Sequence, residues 1–370
     1  MLKVFCAPAR YTQGPNATAS LGEEIVNLGL SGPALIVAGR SAAKLLEPVW
    51  QEALTSSGID FRIFHFTGEC TSAEIARGVE AGRAMGARLI IGAGGGKVLD
   101  TSRAIASDLG LPQVNCPTIA SSDAPCSALS VVYTDEGVVE QYRIYRRNPD
   151  LVLVDTTVIA KSPARFLTAG MGDALATWFE ARVCVAGEVR NMRGGASTRS
   201  ALALAELCYK TLLADGVAAL ESLRNQQVTD ALERVVEANT LLSGLGFESS
   251  GLAAAHAVHN GLTTAAGTHP YMHGEKVAFG VITQLVLENQ PRAVLEEVLA
   301  FSQSVGLPVT FAGVGLGTEP DAETLRRIAE RSTAPGETIH NEPFTVTPQL
   351  VSDAMIAAHD AGMRWEREHA

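Results

Sequence analysis

The stretch Leu89-Ile90-Ile91-Gly92-Ala93-Gly94-Gly95-Gly96-Lys97-Val98-Leu99-Asp100 reads as a buried strand, three consecutive glycines and the first residues of a helix. Glycine lets a backbone turn tightly and approach a ligand, and the amides at a helix start carry partial positive charge that suits a pyrophosphate. Two familiar phosphate loops are excluded by spacing. Ile91 stands five residues before Gly96, where a Walker A loop needs glycine, and Val98 replaces its metal-binding Ser or Thr. Gly92-x-Gly94-x-x-Lys97 does not complete G-x-G-x-x-G either. A plainer reading stands beside the phosphate one. The glycines would serve a turn that needs φ > 0, Lys97 would be solvated, and Asp100 would complement the helix dipole in the first turn.

On both sides of this stretch, short β-rich runs alternate with helical ones. ALIVAG at 34–39, FRIFHF at 61–66, RLIIGAGGG at 88–96, QVNCPT at 113–118 and LVLVD at 151–155 read as strands. Residues 41–54 and 72–85 carry apolar residues at helical spacing, as crossovers between parallel strands require. The segment 127–146 reads instead as an antiparallel hairpin turning at Asp135 to Gly137. After Pro163 the texture changes. The stretches 165–186, 196–214, 228–245, 251–266 and 274–289 are helical, and convincing strands cease. The chain therefore divides near 160–165 into an α/β domain at 1–162 and an all-helical domain at 163–370.

The 370 residues suffice for two domains at about 150 each. Twenty-nine basic against 40 acidic residues give a net charge of −11, which argues against nucleic acid or an anionic membrane as partner. The six cysteines form no C-x-x-C pair and are expected as reduced core residues. No run reaches the ~18 apolar residues needed to span a bilayer, and the expected location is cytoplasmic.

Four of the eight histidines, His256, His259, His269 and His273, fall within residues 256–273. His256 and His259 are spaced i, i+3 and project from neighbouring positions on one helix face. Pro270 suits a helix N1 position, which would put His273 in the first turn. A lone histidine on an apolar helix is usually a core residue, but four together point to a metal. Spacing does not choose among them. The apolar stretch LTAGMGDALATWFEAR adds Asp173 and Glu180 on one helix face, and an acid in such a setting needs a partner. The plainer role for Asp173 is a first-turn dipole partner. Two imidazoles and one carboxylate would give a divalent metal three ligands and an open position, the catalytic zinc pattern.

Five blocks, following APARYTQG at 7–14, carry a family resemblance in chain order. They are GGGKVLDT at 94–101, PTIASSDAPCSALSVVY at 117–133, GMGDALATWFEA at 170–181, AAHAVHNGLT at 254–263 and HGEKVAFG at 273–280. Together they resemble the glycerol dehydrogenases of the iron-type, metal-dependent alcohol dehydrogenase superfamily. The resemblance implies a nucleotide-binding α/β domain, an all-α metal- and substrate-binding domain, and a zinc-bearing cleft between them. It places the zinc ligands on Asp173, His256 and His273, making His259 and His269 neighbours. It places the pyrophosphate loop on Gly94, Gly95, Gly96 and Lys97, and further dinucleotide contacts on Thr118, Ser127, Leu129 and Tyr133. Asp123 takes the position that contacts the polyol, an assignment carried by resemblance alone.

Two departures from relatives matter. The iron-type branch has a further histidine one helical turn after the aspartate, where this chain has Thr177, so zinc with an open position is expected over iron. The glycerol dehydrogenase pattern has an aspartate for the adenosine ribose after the first strand, where this chain reads Val37-Ala38-Gly39-Arg40-Ser41. NAD is the expected cofactor, with NADP left open by Gly39 and Arg40. The expected reaction is glycerol plus NAD to dihydroxyacetone plus NADH, with other vicinal diols as alternatives and His259 a candidate proton relay. A sugar- or glycerol-phosphate dehydrogenase and a dehydroquinate-synthase-like lyase are the competing enzymes. Both need cations for a phosphate, and 256–273 contains no Lys or Arg. A non-catalytic metal- or nucleotide-binding protein is the remaining reading. The resemblance also implies a homo-oligomer, with octamers usual among such enzymes.

Overall fold

The computed structural model describes residues 1–135 and 137–369. The chain forms two compact units. One comprises Cys6–Ala164 with Glu221–Gly244, and the other Met1–Phe5, Arg165–Leu220 and Leu245–Ala370. The expected cut after residue 162 falls two residues from the Ala164/Arg165 boundary, but two segments cross it. Met1–Phe5 joins the second unit because Val4 N–H donates to Ala196 O at 3.0 Å and Ala196 N–H to Leu2 O at 2.8 Å. Glu221–Gly244 joins the first through side chains. The Gln13 amide donates to Glu233 Oε2 at 2.6 Å, and the Asn239 amide to Ala120 O at 3.0 Å.

The first unit is built on a parallel sheet. Its strands are β1 (Tyr11–Gly14), β2 (Ala34–Ala38), β3 (Phe61–His65), β4 (Leu89–Gly94), β5 (Gln113–Pro117) and β8 (Leu151–Asp155), in the order β1-β8-β5-β4-β2-β3. β6 (Leu129–Tyr133) and β7 (Val139–Ile144) pair antiparallel, as the hairpin reading expects. The turn joining them includes Glu136, which lies outside the described residues.

The continuous apolar runs of β2 and β4 follow from burial on both faces. Alternate side chains enter opposite cores: Ala34, Ile36, Leu89 and Ile91 on one face, Leu35, Val37 and Ile90 on the other. The helix Arg40–Ser56 sends Ala43, Leu46, Trp50 and Leu54 into the first of these cores. Each such large side chain contributes about 1.5–3 kcal/mol. β1 was not anticipated, being four half-buried residues, YTQG, at the sheet edge.

After residue 163 the longer helices include Ala164–Ala186, Arg199–Arg224, Ala254–Leu262, His273–Leu287, Arg292–Val305, Ala322–Ser332 and Pro348–Glu368. The expected helix at 251–266 is shorter, running Ala254–Leu262, because Gly251 adopts φ +119° before it. The expected helix at 228–245 is divided into Asp230–Glu237, a π-turn at Ala238–Leu242 and the start of Ser243–Ser250. All six cysteines are free thiols, five of them buried. No described helix is long and apolar enough to cross a membrane.

Candidate active site

The sheet order places a switch point between β2 and β4: from β2 the chain moves outward to β3, then returns to β4 on the other side. Open α/β sheets bind ligands outside the carboxyl ends of strands at such a point. Ala38 pairs with Ala93 in register, so Gly39 and Gly94 leave the sheet side by side. The turn after β4 runs through Gly95, the N-cap of the helix Gly96–Leu109, and no side chain caps this helix start. The glycines are also required by packing. A Cβ on Gly94 would lie 2.6 Å from the Val98 side chain, and one on Gly95 2.7 Å from Ile119 Cδ1. Neither glycine has positive φ, so close approach and not left-handed backbone is what demands them. Lys97 is paired with Glu69 Oε2 at 2.6 Å.

The expected first-turn role of Asp100 is corrected. It lies in the second turn, buried, and pairs with the buried Arg103 at 2.7 Å. Its Oδ2 accepts from Val131 N–H at 3.0 Å, and its backbone carbonyl accepts from the Ser130 hydroxyl at 2.9 Å. Arg103 in turn donates to Ala124 O at 2.6 Å and to Leu129 O. This buried pair ties the helix to the loop and to β6, which carry Asp123, Ser127, Leu129 and Tyr133. The same loop lies over the helix start, with Ser122 Oγ 3.3 Å from where a Gly96 Cβ would sit. Thr118 N–H donates to Gly94 O at 3.1 Å, joining the end of β5 to the glycine turn. Asp123 is buried and accepts from the Ser243 hydroxyl at 2.9 Å.

In the second unit Asp173, His256 and His273 offer ligand atoms all within 4.8 Å of one another. Both imidazoles turn Nε2 toward Asp173 Oδ1, His273 at 3.0 Å and His256 at 3.4 Å. Ligand atoms about 2.1 Å from a tetrahedral metal stand about 3.4 Å apart, so these separations fit a divalent ion. Asp173 is fully buried in the middle of the helix Ala164–Ala186, which rules out the first-turn dipole role. Thr177, one turn on, is also fully buried and supplies no nitrogen ligand. Burial alone would raise the Asp173 pKa, but His273 and His256 outweigh it and hold the carboxyl below the usual range. Burial opposes charge on His256, yet Glu180 and Asp173 push its pKa well above the ordinary value. His259 goes the other way. Burial, then His273, Lys276 and His256, depress it well below, so its ring is neutral.

Glu180, weighed from the sequence only as a partnered acid on the Asp173 face, is fully buried and accepts from His256 Nδ1 at 2.6 Å. His259 lies behind His273, Nε2 to Nδ1 at 2.9 Å, and is thus a neighbour of the cluster. His269 is exposed against Thr263 O and stands apart from it. His273 opens its helix at N1 after the N-cap Met272, so the first-turn expectation holds while Pro270 precedes the helix. Sequence reasoning missed Arg103, Ser243, Gln284 and Glu342. Gln284 Oε1 and Glu342 Oε1 accept from Ala255 and Ala254 N–H, capping the helix that carries His256.

The profile of the iron-containing alcohol dehydrogenase family matches residues 8–156. The chain is 50% identical over 365 residues to a glycerol dehydrogenase of Citrobacter freundii, covering 99% of each. It is 48% identical over 364 residues to a glycolaldehyde reductase of Halobacterium salinarum, covering 98% of this chain and 99% of that protein. Among solved structures, a probable glycerol dehydrogenase from Sinorhizobium meliloti 1021 matches with a TM-score of 0.91 at 40% identity, covering 98% of this chain and 100% of that one.

Proposed function

We propose, starting from the fact that this chain belongs to the glycerol dehydrogenases of the iron-containing alcohol dehydrogenase family, that it oxidises the secondary hydroxyl of glycerol with NAD and zinc. The observation that carries the reading is the convergence of His256 Nε2 and His273 Nε2 on the buried Asp173 Oδ1. NAD, when bound, would supply the acceptor for the hydride of the carbinol C–H, the O–H proton going to solvent as the carbonyl forms.

Asp173, His256 and His273 would hold the metal, which when bound supplies Lewis-acid polarisation of a hydroxyl oxygen. Zinc is preferred to iron because Thr177 stands where a fourth, histidine ligand would be. The amides at Gly95, Gly96 and Lys97 bind the pyrophosphate, with Gly94 giving the backbone room to turn. Thr118, Ser127, Leu129 and Tyr133 hold the rest of the dinucleotide. Asp123, fixed by Ser243, accepts a hydrogen bond from a polyol hydroxyl. A phosphorylated substrate is disfavoured, since residues 256–273 contain no Lys or Arg. A cytoplasmic homo-oligomer, octameric as in the resemblance, completes the reading.

The test is reduced-cofactor absorbance with glycerol on metal-stripped protein, before and after zinc or iron is restored, with NAD and NADP in parallel. Zinc-dependent NADH formation is the expected result. Stoichiometric zinc without turnover on glycerol overturns the substrate. A second reading, reduction of a short α-hydroxyaldehyde, is favoured by the Halobacterium relative at 48% identity. It uses the same site in reverse, and kcat/KM for glycolaldehyde against dihydroxyacetone separates the two.

A further inference from the structure

Each of the two histidines has its second ring nitrogen engaged, and by unlike partners. His256 Nδ1 stands 2.6 Å from Glu180 Oε2, while Glu180 Oε1 accepts from the backbone N–H of His256 at 3.0 Å and of Ala253 at 2.8 Å. A carboxylate only accepts, so His256 Nδ1 carries the hydrogen and its Nε2 lone pair is left for a metal. Glu180 thereby grips both the ring and the backbone of one residue.

At His273 the assignment runs through three side chains. Glu337, held by Arg331, accepts from Asn260 Nδ2 at 2.9 Å, which turns Asn260 Oδ1 toward His259 Nδ1 at 3.1 Å. An amide oxygen accepts, so His259 carries its hydrogen on Nδ1 and offers a lone pair at Nε2. That lone pair, 2.9 Å from His273 Nδ1, accepts its hydrogen and leaves His273 Nε2 for the metal.

We propose that Glu180 and His259 are positioning residues that fix both imidazoles with the Nε2 lone pair toward the metal, through a carboxylate at one and an imidazole at the other. The proposal rests on the metal reading of Asp173, His256 and His273. Partners of this kind are worth about 10–100-fold in metal affinity.

Glutamine separates the two sites. At position 180 it keeps one oxygen for the backbone amides but sets an NH2 group against His256 Nδ1, which forces the hydrogen onto Nε2. At position 259 it reproduces the imidazole's pattern, its oxygen accepting from His273 and its NH2 donating to Asn260. The experiment titrates the metal-stripped full chain with Co2+, read by its visible absorption, and with Zn2+ against a chelator. Wild type, Asp173→Asn, Glu180→Gln, His259→Gln and His259→Leu are compared, with thermal melts of the metal-free proteins alongside. The expected result is affinity lost about 10–100-fold in Glu180→Gln and His259→Leu and kept within a few-fold in His259→Gln. If wild type and Asp173→Asn bind alike, the metal reading itself fails. If Asp173→Asn loses the ion while Glu180→Gln matches wild type, the positioning proposal is overturned and the metal site stands. Should Glu180→Gln not fold, equal affinities of His259→Gln and His259→Leu overturn it.

Discussion

Gly172 and Gly274 meet where two helices cross with no room for a methyl group. A Cβ on Gly172 would lie 2.3 Å from Gly274 O, and one on Gly274 would lie 1.7 Å from Ala169 O. Each glycine adjoins a member of the cluster, Asp173 on one helix and His273 on the other. The close crossing is what brings Nε2 of His273 to 3.0 Å from Asp173 Oδ1. Gly274→Ala is therefore expected to push the helices apart, costing about 1–3 kcal/mol as overpacking does. It should also lower bound metal below one ion per chain. Denaturant melts and metal analysis check both, and an unchanged metal content would show that the crossing does not set the cluster.

Metal removal should depend on pH in a defined direction. Glu180 and Asp173 hold the His256 pKa well above its ordinary value, so at neutral pH the metal-free ring carries, besides the Nδ1 hydrogen, a second proton on Nε2 that a metal must displace. Binding releases that proton, and affinity falls as pH falls, by up to about tenfold per pH unit for each proton released. Zinc titrations at several pH values, with proton release measured calorimetrically in two buffers, test this. An affinity flat with pH would contradict it.

The parts legible from sequence are those in which burial imposes a local pattern. β2, β4 and β8 are buried on both faces and read as unbroken apolar runs, β5 is as buried although it carries Gln113 and Asn115, and the Gly94–Gly96 turn announces itself by composition. Asp173 and Glu180 stood out because acids on an apolar helix need partners. Other features have no local pattern. β1 is short and polar and is a strand only because β8 pairs with it. Residues 221–244 join the sheet unit through Gln13–Glu233 and Asp123–Ser243 contacts more than a hundred residues apart in the chain. The caps on the His256 helix come from Gln284 and Glu342 on distant segments, invisible until the helices pack. Asp100 reads as a dipole partner because it is a carboxylate near a helix start, whereas its partner is Arg103, one turn on.

Glu342 predicts a stability trend of its own. It is 6% exposed, one oxygen accepts from Ala254 N–H, and the other finds no hydrogen-bond partner. Burial, reinforced by Glu288, raises its pKa to about 8. A carboxyl raised on folding binds its proton in the native state between about pH 4.5 and 8, where the unfolded chain has lost it. Its contribution is thus present at low pH and falls away as pH rises through that window, by at most about 1.4 kcal/mol per unit. Glu342→Gln keeps the cap and removes the titration. The variant should grow more stable relative to wild type from pH 5 to 8, and parallel Tm curves would rule this out.

Gly39 offers a test of the proposed preference for NAD. It follows β2 beside Gly94, with φ −69° and ψ 157°, a conformation open to any residue, and nothing lies within 4 Å of a Cβ built on it. An aspartate fits there without strain. As the N-cap of the helix Arg40–Ser56, which has no side-chain cap, it would also accept from that helix's first amides. Its carboxylate would hydrogen-bond an unmodified ribose and repel a ribose phosphate. Such a charge-assisted bond is worth about 1.5–3 kcal/mol. Gly39→Asp should therefore raise the ratio of kcat/KM with NAD to that with NADP by about tenfold or more, with melting temperature unchanged or higher. A raised melting temperature with an unchanged ratio would mean that the side chain caps the helix and that the ribose lies elsewhere.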